Sequence, residues 1–206
     1  MNTARMKLYC SVTSPYSRKV RVVLQELQLA GQTEEVIADP FNPTPEFLAA
    51  NPLSKIPALV TEKGEALLDS SLIVEYLQTR GHGLLLLPKG SKRWAPLRRA
   101  QIAEGMIDAA VAMVMEKRRP ESIVFTSFLD RQVEIIRRCV QSLNVAADLL
   151  SREQPTVVEV TTAVGLAYLD FRLPYLEWRK AHEALAAWYA DFSQRPSMIA
   201  TAPPQT

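Results

Sequence analysis

Short apolar runs alternate with one amphipathic helix at the start of the chain. Residues 7–11 have the pattern of a short strand. The apolar positions that follow recur at the i, i+3, i+4, i+7 spacing of one helix face: Val20, Val23, Leu24 and Leu27. Because proline is tolerated in a first helical turn, we expect this helix to begin near Pro15. Ser14 then lies at the helix start, beside unpaired backbone N–H groups and the positive end of the helix dipole.

The next fifty residues predict two further strand regions and another helix. Residues 35–38 read as a second strand, and residues 39–45 read as a loop because they contain three prolines. A helical turn is expected at residues 45–48, followed by a hairpin with strands at residues 58–61 and 66–68. Asp69, Ser70 and Ser71 have the composition of a helix cap, and the apolar stripe after them predicts a helix that Gly81 and Gly83 end. The order β-α-β, loop, β-β-α defines an α/β domain.

Only helical patterns follow the first domain. Apolar stripes at residues 107–115, 133–150 and 185–192 each predict a helix. Another helix opens at Thr156 with the capping-box pattern, in which a glutamate stands three residues later. The sequence therefore predicts an α/β domain over residues 1–83, a linker over residues 84–91 and an all-α domain over residues 92–206.

Charge and composition give little support to nucleic acid or a membrane as a partner. The 206 residues include 24 basic and 22 acidic side chains, a net charge of +2. Local basic clusters occur at Arg18, Lys19 and Arg21 and at residues 117–119, and we interpret both as solvated helix faces.

Cysteine usage and the chain's apolar runs favour the cytoplasm. Cys10 and Cys139 form no metal or disulfide framework. The first residues are too polar for a secretory signal, and no apolar run reaches membrane-spanning length.

Three separated motifs carry a family resemblance. Residues 14–18 (SPYSR), 51–59 (NPLSKIPAL) and 69–77 (DSSLIVEYL) resemble, in order, three segments of the cytosolic glutathione transferases of the bacterial serine or cysteine type. These segments are the turn with the activating residue, the loop into a cis-proline and the acidic-Ser segment that holds the γ-glutamyl group. The resemblance spans nearly the whole chain. It implies an α/β plus all-α fold, with an N-terminal thioredoxin-like domain followed by an all-helical C-terminal domain.

The resemblance also implies a glutathione site that has a physical rationale. A cis Ile56-Pro57 bond would cost little and would turn the Ile56 N–H and C=O outward, as a strand-like edge for the peptide. Asp69 can accept from the α-ammonium group, Ser70 can donate to the γ-glutamyl carboxylate, and Lys55 can meet the glycyl carboxylate. The alternatives are an ordinary trans Pro57, a simple helix cap at Asp69 and Ser70, and a solvated Lys55.

The implied catalytic group is the Ser14 hydroxyl, which would donate to the glutathione thiolate. Ser11 is the alternate, Thr13 is another nearby hydroxyl, and Cys10 is a nearby thiol. The simplest alternative is that Ser14 only caps the helix.

The implied function is that of a glutathione S-transferase, in which the glutathione thiolate attacks a small electrophilic substrate. Glutathione is then a co-substrate, no metal is expected, and the resemblance implies a homodimer. Met106, Met113 and Tyr168 are candidate walls of the co-substrate pocket, although such residues at helical spacing are more often core. The alternatives are a glutathione-dependent isomerase or dehalogenase, and a non-catalytic binding protein of the same fold that resembles the stringent starvation proteins.

Overall fold

The structure is a computed structural model that describes residues 5–81 and 86–204. It divides into two compact units, one formed by Met1–Leu87 with Pro196–Thr206 and the other by Pro88–Arg195. The predicted domain end at residue 83 and the start of the predicted linker at residue 84 lie outside the described residues.

The first unit has the predicted order of strands and helices. Its elements are β1 (Met6–Cys10), α1 (Pro15–Glu26), β2 (Thr33–Ile37), α2 (Pro45–Ala50), β3 (Ala58–Val60), β4 (Ala66–Leu67) and α3 (Ser70–Arg80). The predicted apolar stripe of α1 is buried along its whole length. Helix α3 ends against that stripe at Gly81, where an added Cβ would come within 2.6 Å of Leu27 Cβ.

The strands form one mixed sheet in the order β2-β1-β3-β4. Strand β1 is parallel to β2 and antiparallel to β3, while β3 is antiparallel to β4. Tyr9 pairs with Ala58, and Leu59 pairs with Leu67. This register brings the C-terminal end of β1, the N-terminal end of β3 and the C-terminal end of β4 to the same end of the sheet.

The second unit is helical. Its helices are α4 (Trp94–Glu116), α5 (Thr126–Val145), α6 (Val157–Arg172) and α7 (Glu183–Phe192). Helix α4 begins well before the apolar stripe that was predicted at residues 107–115. Helix α5 ends before the stripe that was predicted at residues 133–150, because residues 147–149 form a separate 3₁₀ turn. In the part of the chain that the structure describes, no helix is long and apolar enough to cross a membrane.

The central helix of this unit is α6, which is buried along most of its length. Its capping box is complete. The Glu159 carboxylate accepts from Thr156 N at 2.7 Å and from Ser151 N at 3.1 Å, while Thr156 Oγ1 accepts from Val158 N at 3.1 Å. The Glu159 carboxylate thus joins the start of α6 to the segment before it, which contains Ser151.

The C-terminal segment belongs to the first unit and not to the helical unit, in contrast to the predicted domain over residues 92–206. It contains a short helix, α8 (Pro196–Ala200), that the sequence analysis did not predict. Arg18 Nη2 donates to the Met198 carbonyl at 3.0 Å, and Ser197 Oγ donates to Glu26 Oε1 at 2.5 Å. These bonds join α8 to α1.

The interpretation of Arg18, Lys19 and Arg21 as a solvated face is wrong, since even Arg21 pairs with Glu35 and keeps only 12% of its side chain exposed. Arg18 is 8% exposed and Lys19 only 1% exposed. Lys19 Nζ lies 3.5 Å from Ser71 Oγ, and Arg18 is covered by the C-terminal segment. Both side chains are buried because segments distant in sequence supply their polar partners.

Candidate functional site

Three turns meet at one end of the sheet. One follows β1, the second precedes β3 and the third follows β4, and the strand register described above places all three at the same end. The predicted site residues on these turns are Ser11, Ser14, Ile56, Pro57, Asp69 and Ser70.

Ser14 is the N-cap of α1, as predicted. Its Oγ accepts from Ser17 N at 3.2 Å. That bond uses the hydroxyl as an acceptor only, so its proton remains available to a further acceptor. The side chain is partly exposed at the positive end of the helix dipole. Capping and donation to an anion are therefore compatible roles for this one hydroxyl.

The alternatives to Ser14 differ from it in their hydrogen bonds and burial; they are the hydroxyls of Ser11 and Thr13 and the thiol of Cys10. Ser11 Oγ lies 3.2 Å from Thr13 Oγ1 and accepts from Thr13 N at 3.4 Å, so these two hydroxyls bond to each other across the turn. Cys10 is fully buried, and its burial raises the pKa of the thiol to about 11. This thiol is therefore protonated near neutral pH.

The loop into β3 presents unpaired backbone groups. The Ile56-Pro57 peptide bond is cis, as the sequence analysis expected. Within residues 5–81 and 86–204, neither the N–H nor the C=O of Ile56 has a hydrogen-bond partner. Asn51 holds the loop, because its buried side chain donates to the Lys55 carbonyl at 2.7 Å and accepts from Leu53 N at 2.9 Å. This role of Asn51 was missed, although an asparagine before a proline turn is a recognisable signal.

Asp69 is the N-cap of α3. Its Oδ1 accepts from Ser71 N at 2.7 Å and from Leu72 N at 3.3 Å. The second carboxylate oxygen makes no hydrogen bond to any residue that the structure describes, and the side chain is exposed. The peptide bond between Leu68 and Asp69 is also cis. One oxygen of Asp69 thus caps the helix while the other stays available to a ligand.

Ser70 follows Asp69 as the first residue of α3 and is 2% exposed. Neither its N–H nor its hydroxyl has a partner within the described part of the chain. Both groups can therefore donate to an anion at this helix start.

Lys55 is exposed, and its ammonium group makes no ion pair with any described residue. Its backbone carbonyl is the group held by Asn51.

The three predicted pocket-wall residues lie in the helical unit and are buried there. Met106 is 0% exposed, and an added Cβ at Gly165 would come within 2.5 Å of its terminal methyl carbon. Met113 is equally well covered, and Tyr168 is also buried. A ligand could touch the two methionines only after the helices around them had moved, so the structure favours the core alternative for both.

No group of three or more His, Cys, Asp or Glu side chains is placed to hold a metal ion among the residues the structure describes.

Comparison with known proteins places the chain in a family. The family model for the glutathione S-transferase N-terminal domain matches residues 13–80, and the model for the glutathione S-transferase C-terminal domain matches residues 127–191. The uncharacterized GST-like protein YibF of Escherichia coli K12 is 31% identical over 204 residues, which cover 97% of this chain and 100% of YibF.

Two solved structures of glutathione transferase family members are similar to this chain over nearly its whole length. A glutathione transferase family member from Pseudomonas fluorescens Pf-5 with bound glutathione has a TM-score of 0.91 at 39% identity, covering 97% of this chain and 100% of that chain. A structure from the same source with bound S-(propanoic acid)-glutathione has a TM-score of 0.87 at 38% identity, covering 98% of each chain. The four-stranded mixed sheet and the helical unit are thus the thioredoxin-like and all-helical parts of a glutathione transferase fold. The chain belongs to the glutathione S-transferase family.

Proposed function

We propose that this protein is a glutathione S-transferase that uses the Ser14 hydroxyl to stabilise the glutathione thiolate. The observation that carries the proposal is that one end of the sheet gathers several unpaired polar groups: the Ser14 proton, the backbone of Ile56, one oxygen of Asp69 and the donors of Ser70. Glutathione has a matching set of groups: a thiol, peptide amides, an α-ammonium and carboxylates. The bound glutathione of the Pseudomonas fluorescens relative supports the same ligand.

Each part of the peptide has a partner in this scheme. The unpaired N–H and C=O of Ile56 bind the cysteinyl backbone in the manner of an added strand. The free oxygen of Asp69 accepts from the α-ammonium, and the N–H and hydroxyl of Ser70 donate to the γ-glutamyl carboxylate. The exposed Lys55 ammonium meets the glycyl carboxylate.

The chemistry then depends on the sulfur. A free thiol has a pKa near ~8.5, and lowering it by about two units takes ~2.7 kcal/mol of differential stabilisation of the anion. A hydroxyl donor together with a helix N-terminus supplies an amount of that order. The thiolate attacks an electrophilic carbon, a carbon–sulfur bond forms, and a halide or comparable group leaves with its bonding pair.

Three further features belong to the proposal. The protein acts on a small electrophile, works in the cytoplasm and forms a homodimer. The dimer is proposed from family membership and predicts that sedimentation at micromolar concentration gives twice the 23.1 kDa chain mass, whereas a stable monomer would contradict it.

The test combines binding with turnover. Calorimetry measures the affinity of the protein for glutathione, and S-methylglutathione serves as a control ligand that lacks an ionisable thiol. Turnover of chlorodinitrobenzene is followed by absorbance, and mass spectrometry identifies the glutathione conjugate.

We expect both peptides to bind and chlorodinitrobenzene to be conjugated with release of chloride. Binding without conjugation of this or any other activated halide or Michael acceptor would leave a non-catalytic glutathione-binding protein as the better description. An absence of binding would refute the site itself.

A further inference from the structure

A groove lies inside the helical unit, between the second half of α5 and the chain that joins α6 to α7. Its lining residues all lie between Ile136 and His182, so one compact unit contains the whole groove, which we call the α5 groove. Its volume is about 690 Å³, within the range of sites that bind small organic molecules. Its walls include the apolar side chains of Val140, Val145 and Leu176, and Val145 is 74% exposed.

The wall that the connecting chain forms is held by contacts of its own. It consists of two 3₁₀ turns, Pro174–Leu176 and Trp178–Ala181, which are joined by Glu177 in the left-handed conformation with a φ of 44°. Trp178 is 6% exposed, and its Nε1 donates to Asp170 Oδ1 at 2.8 Å. These contacts make the wall rigid, as a preformed binding site requires.

The charges that line the α5 groove do not cancel. Lys180 pairs with Glu177 at 2.7 Å, and Arg137 pairs with Glu134 at 2.6 Å. Arg138 also lines the groove, and it forms no ion pair or hydrogen bond with any residue in the ranges 5–81 and 86–204. One cation is therefore left over, and a carboxylate is the kind of group that complements a guanidinium.

His182 adds a hydrogen-bond acceptor to the same groove. Its Nδ1 lies 2.6 Å from the Trp178 carbonyl oxygen, and because a carbonyl oxygen can only accept, Nδ1 carries the proton. Nε2 of the neutral ring is then an acceptor, and no residue that the structure describes donates to it. A hydroxyl or N–H group of a ligand can do so.

We propose that the α5 groove binds a small amphipathic carboxylate. The apolar part of this ligand lies against Val140, Val145 and Leu176, its carboxylate pairs with Arg138, and a hydroxyl donates to His182 Nε2. Mostly apolar walls with a few polar groups are the usual form of a small-molecule site. The proposed site is independent of the transferase activity, because none of its residues belongs to the unit that contains Ser14 and Asp69.

A simpler account is that Arg138 and Val145 are ordinary surface residues and that His182 only stabilises the turn at Trp178. The two accounts predict different results. Under the simpler account, small carboxylates do not bind in the groove. Under the proposal, binding depends on the charge of the ligand, on its hydroxyl and on the space between the walls.

The test measures the affinity of three probes by calorimetry: 4-(4-hydroxyphenyl)butanoate, its amide and 4-phenylbutanoate. We expect the hydroxylated carboxylate to bind most tightly. The amide, which lacks the charge, should bind about three- to fivefold more weakly, the effect of one ion pair that stays open to water. The probe without the hydroxyl should bind about two- to tenfold more weakly, the effect of one hydrogen bond.

Two variants locate the probes. Arg138→Gln should remove the preference for the carboxylate over the amide, whereas Arg131→Gln, at an exposed position of α5 outside the groove, should keep it. Ala181→Trp places an indole ring in the groove and should weaken all three probes by about tenfold or more, since the ring of the probe loses its apolar contacts. Its control is Ala187→Trp, at an exposed position of α7 outside the groove. Urea unfolding checks that each variant is folded.

Four results would each overturn the proposal. The first is that wild type binds none of the probes, and the second is that it binds the carboxylate and the amide equally. The third is wild-type affinity in Ala181→Trp, because the probes then bind elsewhere. The fourth is a wild-type dimer, measured by sedimentation, that Ala181→Trp converts into a monomer, because a second copy of the chain then covers the groove.

Discussion

Replacing Asp69 by asparagine separates two roles of one side chain. Asp69 Oδ1 caps α3 by accepting from Ser71 N at 2.7 Å and Leu72 N at 3.3 Å, and the other oxygen is the proposed partner of the α-ammonium of glutathione. Asparagine keeps an acceptor oxygen for the cap but carries no charge. The cap should therefore survive in Asp69→Asn while the attraction for the ammonium is lost.

The expected magnitudes follow from these contacts. A hydrogen bond to a charged group contributes about 1.5–3 kcal/mol, so glutathione should bind Asp69→Asn about ten- to a hundredfold more weakly. Asparagine and aspartate cap helices almost equally well, and the lost charge–dipole attraction is worth about 0.3–1 kcal/mol. The free energy of unfolding should thus fall by less than about 1 kcal/mol. Asp69→Ala should lose about 1 kcal/mol more, because it also removes the cap.

Calorimetry with glutathione and urea unfolding measure the two effects. The control is Thr44→Ala, which removes a comparable cap in the same unit, since Thr44 Oγ1 accepts from Phe47 N at 3.2 Å. It should lose about 1 kcal/mol of stability and keep wild-type affinity. Wild-type affinity in Asp69→Asn would refute the reasoning and leave Asp69 as a cap only.

Two further predictions concern stability. Glu159→Ala should lower the free energy of unfolding by about 2–4 kcal/mol, because it removes the acceptor of three partly buried donors, the N–H groups of Thr156 and Ser151 and the Thr156 hydroxyl; a loss below about 1 kcal/mol in urea unfolding would contradict this. Burial raises the pKa of the Cys10 thiol from 9.0 to about 11, so the folded state favours the protonated form; this stabilisation is complete below the unfolded pKa and is lost as pH rises from 9.0 to about 11. Cys10→Ala should flatten the fall in stability over that range, and an unchanged slope would count against it.

Local signals made much of the fold predictable. The spacing of Val20, Val23 and Leu24 depends only on the period of a helix, and the structure buries all three. The caps at Ser14 and Asp69 involve backbone groups two or three residues away, so the sequence contains both partners.

Long-range contacts explain what the sequence analysis missed. Arg18 was interpreted as solvated because its partner, the Met198 carbonyl, is 180 residues away. Helix α8, which was not predicted, begins at Pro196, since proline is as suited to a first helical turn as to a position after a helix end. Met106 has a helical spacing that fits a core or a pocket, and only its packing against Gly165 favours the core.

The candidate site was predictable as a set of motifs but not as a geometry. Residues 14, 56 and 69 lie far apart in the chain, and only the pairing of Tyr9 with Ala58 and of Leu59 with Leu67 places them at one end of the sheet. Nor does a sequence motif indicate that capping uses only one of the two carboxylate oxygens of Asp69.

The most direct test of the central claim is a pH titration of the bound glutathione thiol, followed by thiolate absorbance, in wild type, Ser14→Ala and Ser11→Ala. We expect Ser14→Ala to raise the pKa of the bound thiol by about 1–2 units, the equivalent of one donor to an anion, while the affinity for glutathione changes little. Ser11→Ala should titrate like wild type. A shift in Ser11→Ala alone would move the role to Ser11, and no shift in either variant would show that neither hydroxyl stabilises the thiolate.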